Sequence, residues 1–199
     1  MKILAFSDIH MNADFMLEVI AQSAVADVIV AAGDFANKGG SSWHIIEPFT
    51  KIRKPVVVVS GNHDNLMELT KLCNEHEHIH LLHGGGVNID GVDFYGLGCE
   101  VPQINQENWN EWLDEEAAAR MLEGCPVGCV LVTHSPAYGH CDLQIYGANE
   151  GSKAIFDCVK MKQPQLHLCG HIHNGWGVSS FIGNTPTHNL GPSVNWFEI

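Results

Sequence analysis

Positive charge is scarce in this sequence. Its 199 residues include 10 Lys and Arg against 23 Asp and Glu, which gives a formal net charge of −13. A surface of this sign repels nucleic-acid backbones and anionic membranes, so we expect neither long nucleic acids nor membranes as partners. A small phosphate-bearing substrate would need a local site of the opposite charge.

Long apolar runs are also missing, although 45% of the residues are hydrophobic. No stretch approaches the roughly 20 apolar residues that a membrane-spanning helix needs. The chain begins MKILAFSD and turns polar too early for a signal peptide. We therefore expect a soluble, cytoplasmic protein, with one domain over residues 1–199.

Signals for cysteine pairing are absent. The seven cysteines are an odd number without a Cys-x-x-Cys pair, and several lie in apolar runs, where a reduced thiol packs as a small hydrophobic group. A disulfide framework is therefore not expected. Histidine, in contrast, is abundant, because its 13 copies exceed the 10 Lys and Arg together. The histidines cluster next to predicted strand ends, which indicates chemistry rather than surface filling.

Short apolar runs rich in Val, Ile and Leu predict buried strands, and amphipathic segments between them predict helices. The strands are expected at 2–6, 27–32, 56–60, 128–133 and 165–169, and the helices at 14–24, 43–52, 65–73, 111–122 and 152–161. Between 79 and 97, short strands separated by glycine-rich turns are typical of a meander, and the tail (177–182 and 194–199) looks similar. The pattern predicts an α/β fold with a second, mixed sheet.

Each predicted buried strand is followed by side chains of the kinds that bind metals. They are Asp8-Ile9-His10, Gly33-Asp34, Gly61-Asn62-His63-Asp64, His134 and Gly170-His171-Ile172-His173. Because the carboxyl ends of neighbouring strands in a doubly wound sheet meet at one crevice, we expect these segments to converge. Taken singly, an Asp after a strand is usually a turn or cap residue, and a lone His a buried hydrogen-bonding residue. These structural roles do not explain why side chains with nitrogen and oxygen ligand atoms follow five successive strands.

The types of side chain indicate a pair of metal ions. Two divalent cations about 3.5 to 4 Å apart repel each other unless an anionic oxygen lies between them, so one carboxylate must be shared. Imidazole and carboxylate together suit Mn, Fe, Zn or Co, whereas Mg or Ca alone would favour mostly oxygen ligands. A neutral Asn oxygen keeps the site positive enough to bind an anion.

The order Asp-x-His, Gly-Asp, Gly-Asn-His-Asp, His and Gly-His-x-His, from residue 8 to 173, resembles the calcineurin-like metallophosphoesterase superfamily. Thr133-His134-Ser135-Pro136 and the closing Asn189-Leu190-Gly191-Pro192 resemble the small Icc-like predicted phosphoesterases and the 239AB-type proteins. The resemblance implies a four-layer α/β/β/α sandwich of two mixed sheets flanked by helices. It also implies a metal-dependent phosphoric ester hydrolase.

The resemblance further implies roles for individual residues. One metal would be held by Asp8, His10, Asp34 and His173, and the other by Asp34, Asn62, His134 and His171, with Asp34 as the bridge. The metals would generate a hydroxide nucleophile and neutralise phosphoryl charge, while Asn62 and His63 would contact the substrate. His63 would protonate the departing alkoxide as a general acid, or hydrogen-bond the phosphate.

One segment departs from the pattern of the Ser/Thr phosphatases in this superfamily. Where those enzymes have Gly-Asp-x-x-Asp-Arg-Gly, this chain has GDFANKG at residues 33–39. A carboxylate at the second Asp position would raise the pKa of the catalytic histidine, but Asn37 carries no charge. We therefore expect Asn37 to orient a less basic His63, and we expect a substrate other than a phosphoprotein.

The leading hypothesis is a hydrolase of a small or cyclic phosphodiester. The alternatives are a phosphomonoesterase acting on a small phosphorylated metabolite and a catalytically silent protein-binding scaffold, which the full set of competent residues disfavours. The natural substrate, the metals and the oligomeric state are left open. So are the role of Asp64, either beside the ligands or as a helix cap, and those of His140 and Asp142, which could line a substrate pocket.

The segment from Gln165 to Gly175 carries three histidines and a cysteine within seven positions. The strand pattern makes His167 and Cys169 packed residues inside the strand and leaves only His171 and His173 beyond its end. Strand alternation alone would send both histidines to one metal. The resemblance assigns them to different metals.

Overall fold

The structure, a computed structural model, describes residues 1–199 as two stacked β-sheets with helices on their outer faces. The strands are β1 (Lys2–Phe6), β2 (Val28–Ala31), β3 (Val56–Val58), β4 (Ile79–Leu81), β5 (Gly85–Ile89), β6 (Val92–Leu97), β7 (Val130–Thr133), β8 (Leu166–Cys169), β9 (Ser179–Ile182), β10 (Thr185–Asn189) and β11 (Asn195–Glu198). The helices are α1 (Ala13–Ser23), α2 (Trp43–Ile46), α3 (Leu66–Glu75), α4 (Glu115–Leu122) and α5 (Lys153–Lys162), with 3₁₀ turns at Glu47–Lys51 and His173–Gly175. No helix has the length and apolar character needed to cross a membrane.

Both sheets have a parallel centre, with an antiparallel strand at one edge of the first sheet and at both edges of the second. The first sheet has the order β11-β1-β2-β3-β4, in which β11 alone is antiparallel to its neighbour. The second has the order β5-β6-β7-β8-β10-β9, with β6, β7, β8 and β10 parallel. The predicted fold class, two mixed sheets flanked by helices, is confirmed.

Side-chain alternation along the strands divides the hydrophobic core into three layers. On β1, Leu4 and Phe6 pack with residues of α1 and the segment around α2, whereas Ile3 and Ala5 face the second sheet. On β7, Leu131 packs against α4 and α5, while Val130 and Val132 face the first sheet. Because both faces of the central strands are buried, their sequences are continuous runs of apolar residues.

The structure corrects the predicted organisation of the middle and the tail. β4 joins the first sheet in parallel with β3, whereas β5 and β6 form a hairpin in the second sheet, so residues 79–97 are not one meander. In the tail, β10 was not expected, and it lies between β8 and β9. β11 returns to the first sheet beside β1. Residue periodicity reports that a strand is half buried, but it does not report which sheet the strand joins.

Polar caps determine where the helices begin. The side chains of Asn12, Asn65, Asp114 and Ser152 each accept an N–H from the first turn of the following helix. The helix expected at 111–122 therefore begins only at Glu115, after its Asp cap. The helix expected at 43–52 divides into α2 and a 3₁₀ turn that contains a proline near its start.

His167 is a structural residue of the second sheet. It lies on β8 with no exposed surface, and its Nε2 atom is 2.9 Å from the Thr133 hydroxyl. Burial lowers the pKa of His167 from 6.5 to about 3. Because this folded-state pKa is depressed, the neutral ring favours the fold above pH 6.5, and that contribution is lost as the pH falls from 6.5 towards 3.

We predict that His167→Gln makes the protein less sensitive to acid, because Gln can still hydrogen-bond Thr133 but does not titrate. Between pH 6 and pH 4.5 the free energy of unfolding should fall with decreasing pH in both proteins. The slope of the wild type should exceed that of His167→Gln by about 1.4 kcal/mol per pH unit. Urea denaturation in the presence of a chelator measures both slopes, with the exposed His44→Gln as the control. Equal slopes for wild type and His167→Gln would contradict the prediction.

Candidate metal centre

The carboxyl ends of five strands meet at one edge of the sandwich. Three of them, β1, β2 and β3, belong to the first sheet, and β7 and β8 belong to the second. The loops are joined within each sheet by backbone bonds, such as Asp8 N–H to Gly33 C=O at 2.9 Å and Gly170 N–H to His134 C=O at 2.9 Å. Across the sheets, the His171 N–H donates to the Asp8 carboxylate at 3.1 Å. The crevice therefore lies between two sheets and not along one.

Four of the predicted ligand residues have left-handed backbone conformations. They are Asp8 (φ 54°), His10 (φ 41°), Asp34 (φ 59°) and His171 (φ 69°). For a residue other than glycine such a conformation costs about 1 to 3 kcal/mol and persists only where the surroundings enforce it. Strand alternation therefore stops at these turns, and it does not determine the direction in which His171 points.

Asp8, His10 and His173 form the first cluster, in which their ligand atoms lie within 4.8 Å of one another. The Nε2 atoms of His10 and His173 are 3.4 Å apart. His10 Nδ1 lies 3.2 Å from the Ala36 carbonyl and 3.1 Å from Asn37 Oδ1, two acceptors that place the ring proton on Nδ1. The lone pair of His10 Nε2 is then directed into the cluster.

Asp34, His134 and His171 form the second cluster, again with ligand atoms within 4.8 Å of one another. The amide oxygen of Asn62 lies between the two rings, 3.1 Å from His134 Nε2 and 3.1 Å from His171 Nδ1. On the far side, His134 Nδ1 is 2.8 Å from the Ala32 carbonyl. Four predicted ligands thus surround one point.

The Asp34 carboxylate lies between the two clusters. Its Oδ2 atom is 3.5 Å from His10 Nε2, and its Oδ1 atom is 3.4 Å from His134 Nε2. Burial favours the neutral acid, but the imidazoles of His134, His63 and His10 outweigh burial and lower the pKa of Asp34. An ionised carboxylate with one oxygen towards each cluster has the geometry of a bridging ligand.

The pattern of hydrogen bonds fits cations at these positions. Since the Ala32 carbonyl accepts from His134 Nδ1 and the Asn62 amide nitrogen donates to Asn110, both His134 Nε2 and Asn62 Oδ1 offer lone pairs to each other. Two lone pairs 3.1 Å apart need a proton or a cation between them. Burial opposes protonation of His134, but the Asp34 carboxylate outweighs it and raises the pKa of His134 to about 10. A metal ion would take the place of that proton.

Two glycines allow the loops to approach this closely. A Cβ atom on Gly61 would overlap Asp34, and one on Gly170 would overlap Ser7 and the carboxylate of Asp8. Any larger residue would displace a carboxylate of the centre. This explains why glycine precedes the polar motif in both loops.

Asp64 holds the loops of the centre together. It has no exposed surface, and it does not cap α3, because Asn65 has that role. Its oxygens accept four backbone N–H groups, at 2.7 to 2.9 Å, from Asp34, Phe35, Ala36 and Gly61. Burial and the nearby Asp34 carboxylate raise the pKa of Asp64 to about 6, although the N–H donors oppose the shift. Asp64 thus fixes the position of the loop that carries Asp34.

We predict that Asp64→Asn destabilises the protein and weakens metal binding, because the amide nitrogen would face two backbone N–H groups. Each buried donor left without an acceptor costs about 1 to 3 kcal/mol. Chemical denaturation and metal titration of the purified variant measure the two effects. Wild-type stability together with wild-type metal affinity would show that the four bonds are dispensable.

His63 lies against the first cluster and an indole ring. Its ring centroid is 4.9 Å from that of His10 and 4.4 Å from that of Trp109. His63 Nδ1 accepts the Lys38 N–H at 2.9 Å, so the ring proton lies on Nε2. Burial lowers the pKa of His63, which favours a neutral ring with one N–H donor.

The expected contact between Asn37 and His63 is wrong. The Asn37 side chain bonds His10 instead, with Asn37 Oδ1 lying 3.1 Å from His10 Nδ1. The main chain of Lys38, which has a positive φ of 52°, orients His63 in its place. The sequence could not show this, because the turn at Lys38 directs a backbone N–H, and not a side chain, at the ring.

His140, Asp142 and Trp176 lie outside the two clusters. His140 stacks on Phe156 and lies 3.1 Å from the Ser180 hydroxyl. The Asp142 carboxylate accepts the N–H groups of Gly139 and Gly151 at 2.9 and 2.8 Å, and so shapes its loop. The Trp176 ring lies 4.1 Å from that of His173.

Three residues near the centre were not singled out from the sequence. They are Glu100, Trp109 and Asn110, all on the connection between β6 and α4. Glu100 Oε1 lies 3.6 Å from His171 Nε2, and Asn110 accepts from the Asn62 amide at 2.8 Å. Glu100 follows β6 as the other polar residues follow their strands, so the same strand-end pattern could have found it. Trp109 and Asn110 lie too far along the connection for any such signal.

Two carboxylate and imidazole clusters at the strand ends of an α/β/β/α sandwich are features of metal-dependent phosphoesterases. A family model described as calcineurin-like phosphoesterase matches residues 1–175, so the chain belongs to the calcineurin-like phosphoesterase family. The predicted family is confirmed. This family acts on phosphate esters, and the chain provides two candidate metal sites.

Curated relatives agree with this assignment, and a solved structure shares the fold. The chain is 28% identical to a UPF0046 protein of Caenorhabditis elegans, over 93% of this chain and 67% of that protein, and 27% identical to a second one, of which it spans 49%. It is 31% identical to human Metallophosphoesterase domain-containing protein 1, over 53% of this chain and 30% of that protein. The fold is similar to that of the protein TT1561 of Thermus thermophilus, with a TM-score of 0.78, 17% identity, and coverage of 98% of this chain and 97% of the other.

Proposed function

We propose that the protein hydrolyses a small or cyclic phosphodiester with two bound metal ions. The observation that carries the proposal is the Asp34 carboxylate, whose two oxygens face separate clusters. One ion would be held by Asp8, His10, Asp34 and His173, and the other by Asp34, Asn62, His134 and His171. Bound there, two cations would activate a water molecule as the nucleophile and neutralise charge on the phosphoryl oxygens. The mixture of imidazole, carboxylate and amide donors favours Mn, Fe, Zn or Co.

His63 would supply the proton for the leaving group. Its neutral ring carries a hydrogen on Nε2, because the Lys38 N–H occupies Nδ1. Packing between His10 and Trp109 fixes the plane of the ring next to the first cluster. From there Nε2–H could hydrogen-bond the departing oxygen or a phosphoryl oxygen. To protonate the leaving group the ring would act as the imidazolium, because loss of the proton from a neutral ring would leave an imidazolate. Asn62, the neighbouring residue, would contact the substrate from the side of the second cluster.

A cleft beside His63 supports a small substrate. It has a volume of about 540 Å³, and its lining includes Lys38, Asn108, Trp109 and Met67. A volume of this size accommodates a small organic molecule. Lys38 and Glu111 bring one charge of each sign to the lining, and the Trp109 ring offers a flat apolar surface. A compact ester that carries a planar group suits this cleft better than a long polyanion does.

Hydrolysis assays on metal-loaded protein test the proposal directly. The substrates are an aryl phosphodiester, an aryl phosphomonoester and the 2′,3′- and 3′,5′-cyclic nucleotides, each with Mn, Fe, Co or Zn. We expect faster cleavage of diesters, and loss of that activity in Asp34→Asn, which can no longer supply the bridging charge.

Faster cleavage of the monoester would identify a phosphomonoesterase instead. No cleavage with any metal, together with intact folding, would favour a protein-binding scaffold. Activity that survives Asp34→Asn would exclude the two-metal mechanism.

We predict that the effect of His63→Ala depends on the leaving group. A general acid contributes about 10²- to 10⁴-fold when the departing oxygen is a basic alkoxide. A nitrophenolate leaves without a proton, so His63→Ala should reduce that reaction far less. Steady-state kinetics on an alkyl ester and a nitrophenyl ester of the same phosphate measure the difference, and metal analysis checks that the variant still binds its ions. An equal loss on both esters would exclude His63 as the acid.

A further inference from the structure

Residues 99–113, which we name the strap, lie beside the second cluster. The strap begins after β6 and ends before α4. Its two ends pair with each other, since the Glu100 N–H donates to Glu111 C=O at 3.0 Å and the Leu113 N–H donates to Glu100 C=O at 2.9 Å. It is also bound to the loop after β3, because the Glu111 N–H donates to Asn62 C=O at 3.1 Å. The strap is therefore fixed directly against a predicted ligand.

Two buried side chains of the strap point into the centre. Glu100 and Asn110 are only 3% and 7% exposed. The Asn110 amide nitrogen donates to Glu100 Oε2 at 2.6 Å, and further N–H groups of the strap, from Ile104 and Asn105, donate to the same oxygen. The other oxygen, Glu100 Oε1, accepts a longer bond from the Asn105 N–H at 3.4 Å and lies 3.6 Å from His171 Nε2.

The contacts close a ring that includes two ligands of the second cluster. Asn110 Oδ1 accepts the Asn62 amide N–H at 2.8 Å, which turns the Asn62 oxygen towards His134 and His171. His171 presents Nδ1 to that oxygen and Nε2 to Glu100. A carboxylate behind a ligating histidine fixes its tautomer and increases the electron density on the ligating nitrogen.

We propose that Glu100 and Asn110 act as a clamp that sets the metal affinity of the second cluster. This inference rests on the two-metal site proposed above. Asn110 would fix the Asn62 oxygen as a ligand, and Glu100 would hold the His171 proton on Nε2 and add a negative charge behind the ring. Both are positioning residues, because neither belongs to a cluster itself.

The first cluster lacks a carboxylate in the equivalent place. There, the nitrogen of His10 that faces away from the cluster meets two neutral acceptors, the Ala36 carbonyl and the Asn37 amide oxygen. Loss of the Glu100 charge should therefore weaken one ion selectively. Mutation of a residue that hydrogen-bonds a metal ligand typically weakens metal binding by about 10- to 100-fold.

Calorimetric titration of metal-free protein with Mn²⁺ or Zn²⁺ tests the clamp. Glu100→Gln keeps the shape of the side chain, and Asn110→Ala removes the bond to Asn62. Glu107→Gln, an exposed acid on the same strap, is the matched control. We expect the first two variants to bind one of the two ions about 10- to 100-fold more weakly and the other ion as the wild type does. The melting temperature of each metal-free variant shows whether the fold has changed.

Two variants with one cluster disabled show which ion is affected. In a His10→Ala background, only the second cluster retains its full set of histidines, and Glu100→Gln should weaken the remaining ion. In a His134→Ala background, Glu100→Gln should leave the remaining ion unchanged. The opposite pattern would overturn the clamp, and so would unchanged affinities for both ions.

The remaining outcomes separate the clamp from the proposed reaction. An equal weakening of both ions, together with a lower melting temperature of metal-free protein, would show a merely structural role and overturn the clamp. Wild-type protein that binds fewer than two ions would overturn the two-metal site and the clamp together. Wild-type protein that binds two ions but cleaves no ester would overturn only the proposed reaction, and the titrations would still decide on the clamp.

Discussion

The candidate site depends on one shared charge, the Asp34 carboxylate between two groups of imidazole nitrogens. Each group directs lone pairs at a common point, and neither could form beside the other without negative charge between the two cations that they would bind. Asp34 provides one oxygen to each cluster. Its position is fixed by the four N–H bonds of Asp64 and by the close approach of Gly61.

The rigid sandwich maintains this arrangement at a cost in local strain. Asp8, Asp34 and His171 all have positive φ angles at the points where their chains leave a buried strand. The strands on either side are packed in continuous apolar layers, and these layers stabilise the turns that the loops alone would not adopt. Because the strand ends come from two sheets, the site also depends on how those sheets stack.

Electrostatics explains how an acidic protein could bind an anionic ester. The overall charge of −13 disfavours long polyanions, while metal ions in the two clusters would reverse the sign of the local field. Burial lowers the pKa of His63 and its Nδ1 atom accepts the Lys38 N–H, so the neutral ring would offer a hydrogen bond through Nε2–H. Asp8 belongs to the first cluster alone, and Glu100 brings a corresponding carboxylate to the second cluster, behind His171.

The sequence by itself determined the buried central strands and the polar residues that follow them, because burial on both faces requires continuous apolar runs and because strand ends share one edge. Only the tertiary structure decided which strand joins which sheet, that β10 lies beside β8, and that Asn37 contacts His10 while a backbone N–H contacts His63. It also revealed Asp64 as the anchor of the loops and brought Glu100 and Asn110 to the second cluster. These contacts join residues that are well separated in the chain, through turns with positive φ and through buried polar bonds, and neither feature leaves a periodic pattern in the sequence.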